Sequence, residues 1–171
     1  MDEEKPVKVK LLLSVDGKKV FEKEDDLLTR NFNRFITLFL SGIKLALKRK
    51  DGTDVVTPDT IYWTEFRVMR KIAIGLDSTP PSGLDYKLNE PYMETDLVAV
   101  RVVEETPNYI IIDASGNFSF TEDKTIYEFG LFGRYTGHDV LMARDVVPDG
   151  IPVTGGQVLT ITYRFIVGTY P

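Results

Sequence analysis

Between Leu159 and Val167 every second residue is apolar. Leu159, Ile161, Tyr163, Phe165 and Val167 point one way, and Val158, Thr160, Thr162 and Arg164 point the other. A period of two with one polar face commits a segment to an antiparallel sheet, packed on one side and wet on the other. Further runs of β-branched and aromatic residues follow the same logic at 66–75, 97–103, 109–112, 118–120, 126–132 and 140–146. Near the N-terminus, alternation over 7–13 leads into Asp16-Gly17, a two-residue turn signal, and then Lys18 to Phe21. Residues 113–117, Asp-Ala-Ser-Gly-Asn, read as a hairpin loop.

One segment has a different period. Leu28, Phe32, Phe35, Phe39, Ile43 and Leu47 recur at spacings of three and four, which predicts an amphipathic helix over about 25–48. Asp25 or Asp26 would cap its start, Lys48-Arg49-Lys50 would meet its last carbonyls, and Asp51-Gly52 would end it. The whole predicts a mainly β chain, an antiparallel β-sandwich or jelly roll with one N-terminal amphipathic helix packed alongside. Residues 1–24 form a charged tail with a strand or hairpin, and 25–171 a single domain. A length of 171 residues suits this without a disulfide, and there is no cysteine to make one.

Charge divides unevenly: residues 1–50 are net +4 and residues 51–171 net −9, within a total of −5. Such polarity suits head-to-tail contact between copies, although a basic helix end explains it equally. A pI near 5.0 speaks against general nucleic-acid binding. The start, Met-Asp-Glu-Glu-Lys, lacks the apolar run of a signal peptide, and the apolar stretch from Phe35 to Leu47 is too short and too charged for membrane insertion. Gln157 is the one glutamine, a scarcity of thermolabile residues that points to a thermophilic source.

Catalytic chemistry finds little to work with. The lone histidine, His138, sits in a Gly/Asp turn signal, and no serine stands in a nucleophile context. Without cysteine and with one histidine, only a hard ion such as calcium is chemically open. Asp113 and Asn117, and Asp145 and Asp149, alternate oxygen donors around turn signals, which Asx-turn bonding explains without an ion. The expectation is therefore no enzyme, no metal and no cofactor. Glu128 lies on the strand face of Ile126, Gly130 and Phe132 and needs a partner, either Arg144 or Arg134. A cross-strand ion pair is the first reading and an assembly contact the second. Gly130 in mid-strand implies a bulge or a close backbone approach.

The order of segments adds a resemblance. Ile72-Ala73-Ile74-Gly75-Leu76 precedes a Ser/Thr/Pro loop over 77–83 and the run Asp85-Tyr86-Lys87-Leu88-Asn89-Glu90. Then come Tyr127 to Phe132, Leu141-Met142-Ala143-Arg144, Ile151-Pro152-Val153 and Gly155-Gly156 before the last strand. This pattern resembles small structural proteins of tailed bacteriophages and related archaeal viruses. Asp77 stands where the pattern carries Gly, Phe129 where it carries a small or branched residue, and residues 1–24 have no counterpart.

The resemblance implies a non-enzymatic virion subunit, part of a capsid decoration, neck, tail or fibre, made in the host cytoplasm. Its partners would be copies of itself and other virion proteins. Val7, Val9, Leu11 and Leu13 would then add to a neighbour's sheet edge, with Glu128 and Arg144 as further contact residues; pairing of that strand within its own sheet is the alternative. A second class of function is an extracellular β-sandwich that polymerises or binds carbohydrate or a host surface. Tyr62 and Trp63, with Tyr86 and Tyr92, would supply an aromatic platform.

Overall fold

The computed structural model describes residues 7–24, 28–41, 45–55 and 66–168. It is mainly β. The described elements are β1 (Val7–Val15), β2 (Lys18–Glu24), α1 (Arg30–Ser41), β3 (Leu47–Lys48), β4 (Asp54–Val55) and β5 (Phe66–Gly75). After these come β6 (Pro91–Asp96), β7 (Ala99–Glu105), β8 (Tyr109–Ser119), β9 (Lys124–Tyr135), β10 (His138–Val153) and β11 (Val158–Gly168). They divide between two compact units. The first holds the N-terminal hairpin, Leu97–Lys124 and the chain from Pro152; the second holds the chain from the hairpin to Asp96, with Thr125–Ile151.

The first unit is a five-stranded sheet in the order β2-β1-β11-β8-β7, with every neighbouring pair antiparallel. Asp16 and Gly17 take positive φ, 49° and 78°, the turn geometry that matches strand twist in a two-residue hairpin. Asp16 also exchanges bonds with Val158, its N–H to the Val158 carbonyl and its Oδ1 from the Val158 N–H, both 2.9 Å, which pins the hairpin to β11. One sheet face is apolar and buried: Val9, Leu11 and Leu13 on β1, Leu159 to Phe165 in alternation on β11, and Ala114 and Phe118 on β8. The alternation of β11 inverts at its end, where Ile166 is buried and Val167 exposed.

The opposite face carries polar rows. Arg164 donates from Nε and Nη2 to the two oxygens of Asp113 at 2.8 Å each, and Ser115 and Thr162 hydroxyls meet at 2.8 Å. These contacts correct the hairpin expected at 113–117. β8 runs straight through it, because Asp113, Ser115 and Asn117 find cross-strand partners opposite β11 instead of turning back on themselves. The same holds for Pro148, which lies inside the long strand β10.

The second unit contains a four-stranded sheet in the order β10-β9-β5-β6. Gly130 stands opposite Ala73 in unbroken register, so no bulge occurs there. A Cβ at Gly130 would lie 2.8 Å from Leu88 and 3.2 Å from Leu141, and these two with Ala73 and Phe132 form a buried cluster. The glycine is thus a close approach, made to admit Leu88 from the loop before β6.

The helix is corrected in length and place. It spans 12 residues rather than about 24, and it follows a hairpin, so it is not an N-terminal element. Leu47, taken as the end of its apolar stripe, is buried on β3, which pairs with β4 across the Asp51-Gly52 turn. Asn31 of α1 holds β3 in place. Its Nδ2 donates to the Lys48 carbonyl and its Oδ1 accepts the Lys48 N–H, both 2.7 Å, so the amide takes the place of a neighbouring strand. Asp25, Asp26 and Ile43 lie outside the described residues. Thr29 does not cap the helix with its hydroxyl, which donates to the Leu141 carbonyl at 2.6 Å and fixes the helix start against β10. No described helix is long and apolar enough to cross a membrane.

Candidate functional site

Arg144 sits in the middle of β10, where alternation would turn a side chain into apolar surroundings, and it is 1% exposed. A buried guanidinium is tolerable only if its donors are matched. Its Nε donates to Glu128 Oε1 at 2.7 Å, and Glu128, on β9, is 0% exposed. The first reading of Glu128, an ion pair with Arg144, describes this contact; Arg134 faces Arg67 of β5 in the register. Further donations run from Nη1 to Asp85 Oδ2 at 2.9 Å, and from Nη2 to the Thr79 carbonyl at 3.3 Å and Asp77 Oδ2 at 3.4 Å.

Those last three acceptors come from one segment, residues 76–90. Glu128 grips the same segment from its other end: Oε1 accepts the Asn89 N–H at 2.6 Å and Oε2 the Glu90 N–H at 3.2 Å. Gly75 makes room, since a Cβ there would lie 2.3 Å from Glu128 Oε2 and 2.6 Å from the Glu90 carbonyl. Asp77 adds an Asx turn onto Thr79 and accepts Asn89 Nδ2 at 2.8 Å. The Asn89 bond, with those from Thr79 and the nearby guanidinium, holds the Asp77 carboxyl below the ordinary aspartate range. A long irregular connection is thereby fixed by two buried side chains on adjacent strands.

The fixed segment lines a cavity of about 340 Å³ in the same unit. Leu84, Asp85 and Tyr86 face Arg30, Asn31 and Arg34 of α1, Lys48 of β3 and Asp54 of β4. Arg34 Nη1 is spent on the Ala46 carbonyl. Lys48 pairs with Asp54 at 3.7 Å and lies 5.9 Å from the Tyr86 ring centroid, as does Lys87. The ring packs over Gly52, whose φ of 86° only glycine adopts without strain. Tyr92 lines a different, open recess of about 210 Å³ with Pro91 and Glu94. Tyr86 and Tyr92 therefore do not form one platform, and Tyr62 and Trp63 lie outside the described residues.

In the first unit, Val7, Val9, Leu11 and Leu13 lie on a strand flanked by β11 on one side and β2 on the other, so both edges of β1 are taken within the chain. Val9, Leu11 and Leu13 are buried. Among the described residues the outer strands of this sheet are β2 and β7, and they differ. β2 carries Lys18, Lys19, Glu22, Lys23 and Glu24, the charges that blunt an edge. β7 carries Arg101, Glu104 and Glu105 and a register break between Val102 and Glu104, but also Val100, Val102 and Val103, which with Val98 just before it are between 46% and 63% exposed. Val100 and Val102 stand opposite Ala114 and Ile112, on the same face as the buried core, and exposed Val167 lies along that face on β11.

The four candidate oxygen donors Asp113, Asn117, Asp145 and Asp149 are set apart by different partners and exposure. Asp113 is paired with Arg164, Asn117 is exposed four residues along the same strand, Asp145 is fully buried on β10, and Asp149 is exposed four residues farther along β10. No group of three metal-ligating side chains occurs among the described residues. His138, expected at an exposed tip, is half-buried at the start of β10, next to the turn formed by Thr136 and Gly137 at φ 45° and 83°. Sequence reasoning missed Asp77, Asp85 and Asn89 as partners of the Glu128–Arg144 pair. Two buried charges leave the remaining donors of Arg144 unmatched, which was the available signal. No protein-family model matches the chain, and neither a curated protein nor a solved structure matches it.

Proposed function

We propose that the chain is a non-enzymatic structural subunit that works by assembling with copies of itself, and that β7 is the contact. The observation that carries this reading is an edge strand, without a second strand partner among the described residues, that exposes Val100 and Val102 on the core side of its sheet. Long apolar edges template pairing with another chain, and soluble proteins normally charge or cover them. A second β7 is the occupant that suits it. In an antiparallel approach centred on the register break between Val102 and Glu104, Arg101 of each copy would lie opposite Glu104 of its neighbour, whose carboxylate also accepts the Tyr109 hydroxyl. Main-chain bonds would supply affinity and the two Arg–Glu pairs register.

Within this proposal the resemblance to phage and archaeal-virus structural proteins makes the subunit a virion component, and the fold a sandwich of jelly-roll type. The single buried apolar face of the five-stranded sheet supports the latter. Electron microscopy of the purified chain tests the reading. Regular dimers or larger symmetric particles are expected, and a field of monomers at high concentration overturns it.

A further inference from the structure

We propose that the 340 Å³ cavity beside Tyr86 binds a carboxylated pyranose, the acidic sugar unit of an anionic glycan. Its volume lies in the range of small-ligand sites and has room for a single pyranose. The lining mixes three cations, Arg30, Arg34 and Lys48, with two carboxylates, Asp54 and Asp85. Asp85 Oδ2 is committed to the Ser82 N–H and to Arg144, Lys48 pairs with Asp54, and Arg34 gives Nη1 to the Ala46 carbonyl, which leaves Arg30 and the remaining donors of Arg34 as the positive charge in excess.

Each requirement of an acidic sugar finds a group of the right type. The Tyr86 ring, packed over Gly52 and with the Lys48 and Lys87 ammonium groups 5.9 Å from its centroid, is the aromatic surface of the lining that the C–H side of a pyranose would meet. The exposed Arg30 guanidinium presents the planar fork that matches a carboxylate, and Lys48 adds a point charge beside the ring. Asp54, more than half exposed, accepts sugar hydroxyls. Asn31 contributes shape only, because both its polar atoms are bound to Lys48. A neutral sugar leaves the cations unused, and inorganic phosphate has no apolar face for the tyrosine. The segment carrying Tyr86 is held by Arg144 and Glu128 before any ligand arrives, so binding has little loop to order.

Titration of the isotope-labelled full chain with methyl glucuronide, methyl glucoside and inorganic phosphate, followed by amide chemical shifts, tests this. Glucuronide is expected to shift Arg30, Lys48 and Tyr86 and to bind at least tenfold more tightly than either glucoside or phosphate. Arg30→Gln, at an exposed position, weakens glucuronide about tenfold with an unchanged thermal midpoint, and Lys48→Gln weakens it by a smaller factor. Tyr86→Leu weakens glucuronide but not phosphate. Equal affinity for glucoside or phosphate, shifts confined to other regions, no saturable shifts, or full affinity in Arg30→Gln each overturn the proposal.

Discussion

Arg144 and Glu128 meet across neighbouring strands at 2.7 Å with almost no exposure of either, and between them they hold one segment from both ends. Removing one member of a buried pair strands the other charge, which typically costs about 3–5 kcal/mol. Arg144→Met should therefore destabilise by about that amount in urea unfolding. The double variant Arg144→Met/Glu128→Gln should lose clearly less than the sum of the two single changes, since the second substitution removes the stranded charge. Strict additivity would contradict the coupling.

Gly75 faces Glu128 in the register, and a Cβ there would meet a carboxylate oxygen and a carbonyl. Gly75→Ala should destabilise by about 1–3 kcal/mol, the usual cost of overpacking. Gly83 in the same segment has nothing within 4 Å of a Cβ, so Gly83→Ala should change stability by no more than about 0.5 kcal/mol. Equal thermal midpoints for the two variants would deny the close approach.

Glu94 on β6 accepts from Lys50 Nζ and Lys71 Nζ at 2.8 Å each, and these bonds, that from Lys50 first, lower its carboxyl to about 2. A carboxyl depressed in the folded state adds stability that is complete above its unfolded value near 4.5 and disappears as pH falls toward 2. Its side chain is 42% exposed, so solvent screening limits the contribution to about 1 kcal/mol or less. Lys71 is raised, chiefly by the same bond, and its share disappears only above pH 10.5. Glu94→Gln should flatten the stability curve between pH 4.5 and 2 and leave its slope from pH 6 to 8 unchanged. Parallel curves for wild type and variant across the acid range would remove Glu94 from the account.

Alternation made β11 legible, since Leu159 to Phe165 pack as their period requires, and it failed at the end of the strand, where Ile166 is buried and Val167 exposed in an unbroken register. The Glu128–Arg144 pair was legible because a carboxylate on an apolar strand face needs a cation one strand away. Asp85 and Asp77 were not, because they reach Arg144 from 59 and 67 residues away and belong to a segment without periodicity. The turn composition of residues 113–117 misled for a similar reason: Arg164, 51 residues distant, satisfies Asp113 better than a turn would. Leu47 fits a helical stripe by spacing alone, and the side chain of Asn31 decides against it.

The central claim is assembly through β7, and the mass of the particle in solution tests it most directly. Sedimentation velocity of the wild-type chain should show a dimer or larger species. Val100→Lys/Val102→Lys, which charges two positions already exposed, should sediment as a monomer with the thermal midpoint of the wild type. A wild-type chain that stays monomeric at high concentration, or a variant that assembles as the wild type does, would contradict the account.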